Sequence, residues 1–334
     1  MPSLLDEDEM VVIEESASDP RYGSNPQERE MGALLSTGAI ILDKPRGPTS
    51  HQVVSWVKAI LGLEKAGHHG TLDPNTTGVL PVAIGNSVRM LDMTLSEGKE
   101  YITIMHLHRD ASREHIDRVI EDFTGDIYQM VPMRAAVKRG LRQRRIDYIK
   151  LLEKKENDLL LLIGCESGTY IRTLLHDMGE VLGVGANMSE LRRTRSGKIP
   201  EDRAVTLHQV KDAFEIYRES GDETLLRKVI RPAEELLTHL PRVVLKDSTV
   251  DAICHGAQLG MPGVCGLDPD VKKDRDVLLV TIKGEAVAFG RSLMDAVDMQ
   301  KVRKGICVTT ERVLMEPGTY PKAWKTGHRD PKGT

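Results

Sequence analysis

Apolar positions along the chain switch between two periods. Val53, Val54, Val57, Ile60 and Leu61 recur at helical spacing behind Ser50 and stop at Gly62, which predicts an amphipathic helix with Ser50 as its cap. Ser112 stands in the same relation to Ile116, Val119, Ile120 and Phe123, and Gly125 closes that segment. Tyr101 to Leu107 alternates like a half-buried strand, whereas Asn157 to Cys165 is a continuous apolar run that predicts a buried strand. Ala39 to Leu42 is another short strand, leading into the turn-rich LysProArgGlyProThrSer of residues 44 to 50. Strands and helices alternate in this way to about residue 240. Beyond it the texture changes to short β-rich runs at Val243 to Leu245, Val277 to Ile282, Ala286 to Phe289 and Ile306 to Thr309, separated by glycines. That pattern predicts a separate, small β-barrel-like module.

Composition narrows the class. With 334 residues, 40% of them apolar and 29% charged, the chain reads as a folded protein of about two domains, neither wholly disordered nor embedded in a membrane. No stretch approaches the ~18 apolar residues of a membrane span. The start, with Asp6, Glu7, Asp8 and Glu9, is unlike the basic start of a signal peptide, so a cytoplasmic protein is expected. Cys165, Cys254, Cys265 and Cys307 form no CxxC pair, against both a zinc ribbon and a disulfide framework.

Charge is unevenly spread. The net charge of −4 hides nine acids against two bases in residues 1 to 30, which leaves the rest of the chain at +3. That acidic segment, broken by Pro20, Gly23 and Pro26, predicts an extended arm without a core of its own up to about residue 36. Elsewhere Arg134, Lys138, Arg139, Arg142, Arg144, Arg145 and Lys150 face one acid, Asp147, and Arg192, Arg193, Arg195 and Lys198 form a second basic group. Both suit a phosphate backbone, and both equally suit a solvated surface.

The densest chemical signal is Gly67 to Pro81, GlyHisHisGlyThrLeuAspProAsnThrThrGlyValLeuPro. Three glycines, two prolines and one carboxylate lead there into an apolar run, a setting that holds a side chain rigidly. Asp73 is the only acid between Lys65 and Met90; alone, an Asp-Pro is far more often a turn than a catalyst. His68 and His69 are adjacent, so on a strand their rings point apart and no shared metal is expected.

Gly70 to Pro74 with Thr77 to Pro81 resembles the catalytic motif of the TruB-like pseudouridine synthases. Four further blocks agree in the family's order: LysProxGlyxThrSer at 44 to 50, LysGluTyr at 99 to 101, GlyThrTyrIleArg at 168 to 172 and LeuArgArgThrArgSerGly at 191 to 197. The C-terminal ValAspAlaIleCysHisGlyAlaGlnLeu at 250 to 259 is similar to the RNA-binding PUA domain of the dyskerin-type branch, the catalytic subunit of box H/ACA ribonucleoproteins, in its compact archaeal form. Asn187, where that branch has a histidine, and Glu166 with Ser167, where small residues are usual, depart from the pattern.

The resemblance implies an α+β fold. A mixed-sheet pseudouridine synthase catalytic domain at 37–242 would be joined to a β-barrel-like PUA domain at 243–325, with the arm at 1–36 and a tail at 326–334. It further implies Asp73 as the catalytic carboxylate, either nucleophile or acceptor of a ribose proton, Arg172 as the cation that keeps it ionised, and Tyr101 stacked on the flipped uracil. Leu191 becomes the apolar wall of the pocket, Lys44 the brace of the catalytic loop, and His69 a backbone or RNA contact. Lys138, Arg139, Arg142, Arg144 and Arg145 would follow the RNA backbone. Neither cofactor nor metal is implied. The expected partners are tRNA, a box H/ACA guide RNA with its rRNA target, and the accessory proteins of that particle. Activity on rRNA with a guide and at position 55 of tRNA without one is the leading expectation; a standalone tRNA synthase and a non-catalytic RNA-particle scaffold are the alternatives.

Overall fold

The alternating segment and the apolar run become neighbours. Lys99–Leu107 pairs antiparallel with Asp158–Cys165, from Lys99 opposite Cys165 to His106 opposite Asp158. The alternation is literal, since every odd position from Lys99 to Leu107 is buried. The computed structural model describes residues 10–94, 98–131 and 140–322, grouped into two compact units, Leu35–Arg231 and the two segments Met1–Leu34 with Pro232–Thr334.

In the Leu35–Arg231 unit the sheet runs in the order Gly38–Lys44, Thr77–Ile84, Ala186–Ser196, Lys99–Leu107, Asp158–Cys165, Leu141–Lys155, Gly125–Met130. All of these neighbours are antiparallel except Thr77–Ile84 with Ala186–Ser196, where Thr77 lies opposite Arg192 and Gly78 opposite Arg193. This mixed sheet with its helices Ser50–Leu61, Arg113–Asp122, Ile171–Val181 and Leu207–Ser220 is the α+β catalytic fold expected from the sequence. Ile171–Val181 packs on the central strand Ala186–Ser196.

One cap differs from the sequence reading. Thr49, not Ser50, caps the helix Ser50–Leu61: its hydroxyl accepts from the Gln52 N–H at 3.1 Å, while the Gln52 side chain accepts from the Thr49 N–H at 2.8 Å. Ser50 begins the helix buried, and its hydroxyl is free for another task. Gly62 ends the helix in the left-handed conformation, at φ 65°.

In the other unit seven strands form the sheet Val11–Val12, Val264–Leu267, Arg242–Leu245, Asp276–Thr281, Ala286–Ser292, Ile306–Val313, Leu259–Gly260. Val243, Leu245, Val250, Ile253, Val277, Leu279, Val287 and Val308 form its core. The acidic arm is built into this unit. Val11–Val12 pairs with Gly266 and Leu267; Ser18 and the Asp19 N–H both donate to the Asp247 carboxylate; Arg29 pairs with buried Glu234 at 2.6 Å. Among the described residues, no helix is long and apolar enough to cross a membrane.

Candidate active site

Asp73 sits in the loop between two antiparallel strands, Ala66–His68 and Thr77–Ile84, and that loop is fixed through its backbone on both sides of the carboxylate. Ahead of it, the buried Ser50 hydroxyl accepts from the Leu72 N–H at 2.9 Å and donates to the Leu72 carbonyl at 3.0 Å. Behind it, the Lys44 ammonium donates to the carbonyls of Pro45, Pro74 and Thr76 at 3.0, 3.1 and 2.8 Å, and the Gly47 N–H donates to Pro74 at 2.8 Å. Lys44 is fully buried. Burial draws its ammonium below the ordinary lysine value, an effect that the negative charge of Asp73 opposes. The 44–50 segment thus grips residues 72, 74 and 76 and leaves the side chain of 73 free.

That side chain meets Arg172. Its Nη2 donates to Asp73 Oδ2 at 2.6 Å across 99 residues of sequence, with more than half of each side chain open to solvent. Arg172 lies in the first turn of Ile171–Val181. The approach to that helix is fixed by side chains from the neighbouring hairpin. Buried Gln129 accepts from the Tyr170 N–H at 3.1 Å and donates to the Tyr170 carbonyl at 3.2 Å. Arg144 donates to the Gly168 carbonyl at 3.0 Å and to Glu166 at 3.2 Å, with Gly168 in the left-handed region at φ 81°.

Tyr101 is buried opposite Arg193 in the Lys99–Leu107 and Ala186–Ser196 register. Burial pushes its phenol up, and Asp73 is among the charges that act on it. Leu191 is half-buried opposite Thr103 and lines a groove of about 240 Å³ with Asn75, Thr77, Ile102 and Ile104, a groove that contains neither Asp73 nor Arg172.

His69 is buried and donates its backbone N–H to the Pro81 carbonyl at 3.3 Å. His68 stacks edge-on against His51 with centroids 4.8 Å apart. Burial holds the His68 and His69 rings down at about 4, so they are neutral near pH 7. No group of three or more His, Cys, Asp or Glu among the described residues is placed to hold a metal ion.

Of the basic run, Lys138 and Arg139, with Arg134, lie outside the described residues. Arg142 and Arg145 are exposed on the Leu141–Lys155 strand, whereas Arg144 is turned to the 166–168 loop. The second basic group is only partly a surface. Arg192 is tied to Asp43 and Glu201, and Arg193 is buried. Sequence reasoning missed Ser50, Gln129 and Arg193 as parts of this centre. Only Ser50 left a signal, since Thr49-x-x-Gln52 already forms a complete capping box and leaves the Ser50 hydroxyl over.

Comparison with known proteins covers most of the chain. Four family models match in succession: the DKCLD (NUC011) domain over residues 1–54, the TruB family pseudouridylate synthase N-terminal domain over 58–171, the tRNA pseudouridylate synthase B C-terminal domain over 172–238 and the PUA domain over 241–314. A Methanopyrus kandleri protein named probable tRNA pseudouridine synthase B is 53% identical over 316 residues, 95% of this chain and 94% of its own length. Its namesake from Methanocaldococcus jannaschii is 51% identical over 96% of each chain. Among solved structures, a chain of a Cbf5-Nop10-Gar1 complex is similar at a TM-score of 0.89 and 46% identity, covering 94% of this chain and 96% of that one. A chain of an H/ACA RNP bound to a substrate RNA containing 2'-deoxyuridine is similar at 0.88 and 44%, covering 95% and 97%.

Proposed function

The chain belongs to the TruB family of pseudouridylate synthases, and from that premise we propose that it isomerises uridine in RNA at the Asp73 centre, on rRNA as the catalytic subunit of a guide-RNA particle and on tRNA without a guide. The reaction breaks the N1–C1′ bond, turns the uracil and joins C5 to C1′; C5 gives up a proton and N1 gains one, so the composition is unchanged. It needs a carboxylate beside C1′ and the base, and Asp73 takes that part as nucleophile or as acceptor of a ribose proton. The observation that carries this reading is the Asp73–Arg172 pair at 2.6 Å, on a loop immobilised through its backbone while the carboxylate itself remains open to a ligand.

Tyr101 stacks on the flipped base. Lys44 and Ser50 hold the loop. Arg142 and Arg145, with Lys138 and Arg139, contact phosphates. Residues 243–325 act as an RNA-anchoring module, whose sheet the strand Val11–Val12 of the arm completes. Similarity to chains that assemble with Nop10 and Gar1 supports accessory proteins of the same kind here. We propose a cytoplasmic location.

The test incubates purified protein with uridine-labelled tRNA and, with and without accessory proteins, with a guide and target RNA pair, scoring pseudouridine in each. Product in both supports the reading. Product on tRNA alone removes the guide-RNA part, and product on neither overturns the activity.

A further inference from the structure

Arg193 heads the largest fully buried side chains, at 1% exposure. Its hydrogen-bond partner among the described residues is the Val79 carbonyl, which accepts from Nε at 2.7 Å; Nη2 is buried without a partner, and the strand register sets the residue opposite buried Tyr101. No carboxylate among the described residues pairs with it, although every other arginine of the 192–195 stretch has one, Arg192 with Asp43 and Glu201 and Arg195 with Glu100. A permanently charged guanidinium in such surroundings is costly, and loop packing alone is served as well by an apolar side chain.

Two glycines lie against this residue. Gly78, at φ 102°, lies opposite Arg193, and a Cβ there would come within 2.1 Å of the Arg193 carbonyl oxygen. Gly70, at φ 67°, would bring a Cβ to 3.0 Å from Nη1. Gly78 thus clears the backbone of residue 193 and Gly70 its guanidinium, and the cross-strand register sets Arg193 opposite Tyr101.

We infer that Arg193 is a positioning residue for the Tyr101 hydroxyl, an inference that rests on the reading of Tyr101 as the aromatic of the uridine pocket. A guanidinium carries donors only, so toward Tyr101 it donates into the phenol oxygen. The hydroxyl's own hydrogen is thereby turned away from Arg193, and negative charge that grows on the oxygen sits against a fixed cation. Burial pushes the Tyr101 phenol up and Arg193 pulls it back, in keeping with that arrangement.

The experiment is a double-mutant cycle on the full chain. Single-turnover rates and RNA affinity are measured for Arg193→Lys and Arg193→Met, each in the native background and with Tyr101→Phe. If Arg193 works through the hydroxyl, Arg193→Lys slows the native enzyme about tenfold or more and the Tyr101→Phe enzyme by less than about twofold, with RNA affinity held within about twofold. Equal losses in both backgrounds would make Arg193 a packing residue and overturn the inference while the Tyr101 reading stands. A Tyr101→Phe enzyme of native rate would overturn both. A second readout leaves Arg193 untouched: Tyr101→Phe strips the guanidinium of an acceptor and should lower the melting temperature, and an unchanged value would sink the pairing even if neither Arg193 variant folds.

Discussion

Asp73→Asn separates a catalytic carboxylate from a turn residue because the structure bounds what the substitution does to the loop. Among the described residues the side chain makes one ion pair, with Arg172, and both partners are more than half exposed, 62% for Arg172 and 56% for Asp73. Such a pair contributes at most about 1 kcal/mol, a factor of about five in any equilibrium it supports. The supports of the loop all run through backbone atoms of Leu72, Pro74 and Thr76, which asparagine leaves in place. Misplacement and lost pairing together therefore explain a rate loss of about tenfold at most, near 1.4 kcal/mol. Loss of the reacting oxygen is expected to exceed about a thousandfold, over ~4 kcal/mol. Single-turnover conversion with enzyme in excess over RNA isolates this step, with affinity measured in parallel and expected within a few-fold of native. An Asp73→Asn enzyme that keeps more than about a tenth of the native rate would refute the assignment.

Ser50→Ala leaves the buried Leu72 N–H and C=O without their partner, at about 1–3 kcal/mol each, so urea unfolding should show lower stability and single-turnover assays a slower rate at unchanged RNA affinity; native values for both would deny the brace. His68 and His69 are held near 4 in the folded protein against 6.5 when unfolded. Below pH 6.5 the unfolded chain binds protons that the native state refuses, so stability present above that pH is lost as pH falls toward 4, by up to ~1.4 kcal/mol per pH unit for each ring. Denaturation curves across that range should lose part of this slope in His69→Asn, and an identical slope would exonerate the ring. Arg142→Ala with Arg145→Ala should weaken binding to all RNA sequences alike and flatten the plot of log affinity against log salt by about 0.7 to 0.9 per phosphate contact; an unchanged plot returns the strand to a solvated face.

The loop of Asp73 and its partner Arg172 were legible in the sequence because the loop is local, its glycines and prolines announce it, and the resemblance supplied the arginine. The helices and strands of both units were equally plain wherever periodicity marked them. Arg193 was not legible. Written between Arg192 and Arg195 it reads as a surface charge, and only the register that puts it opposite Tyr101 and Gly78 removes it from solvent. Gln129 was hidden for the same reason, since its two bonds to Tyr170 join residues 41 apart. Ser50 was assigned the role of its neighbour, a one-residue shift that matters here because it moves a hydroxyl from the helix end to the catalytic loop.

The strand Val11–Val12 completes a sheet whose other members begin at Arg242. Translation therefore makes Val11–Val12 before its partner strands and leaves it unpaired while the whole of Leu35–Arg231 is synthesised. At about 5–20 residues per second the catalytic unit has time to fold before Val264–Leu267 leaves the ribosome, so a strand made before that unit docks after it. A nascent chain halted near residue 240 would expose that arm to protease with the Asp73 loop already protected, a birth order opposite to the written order of the sequence.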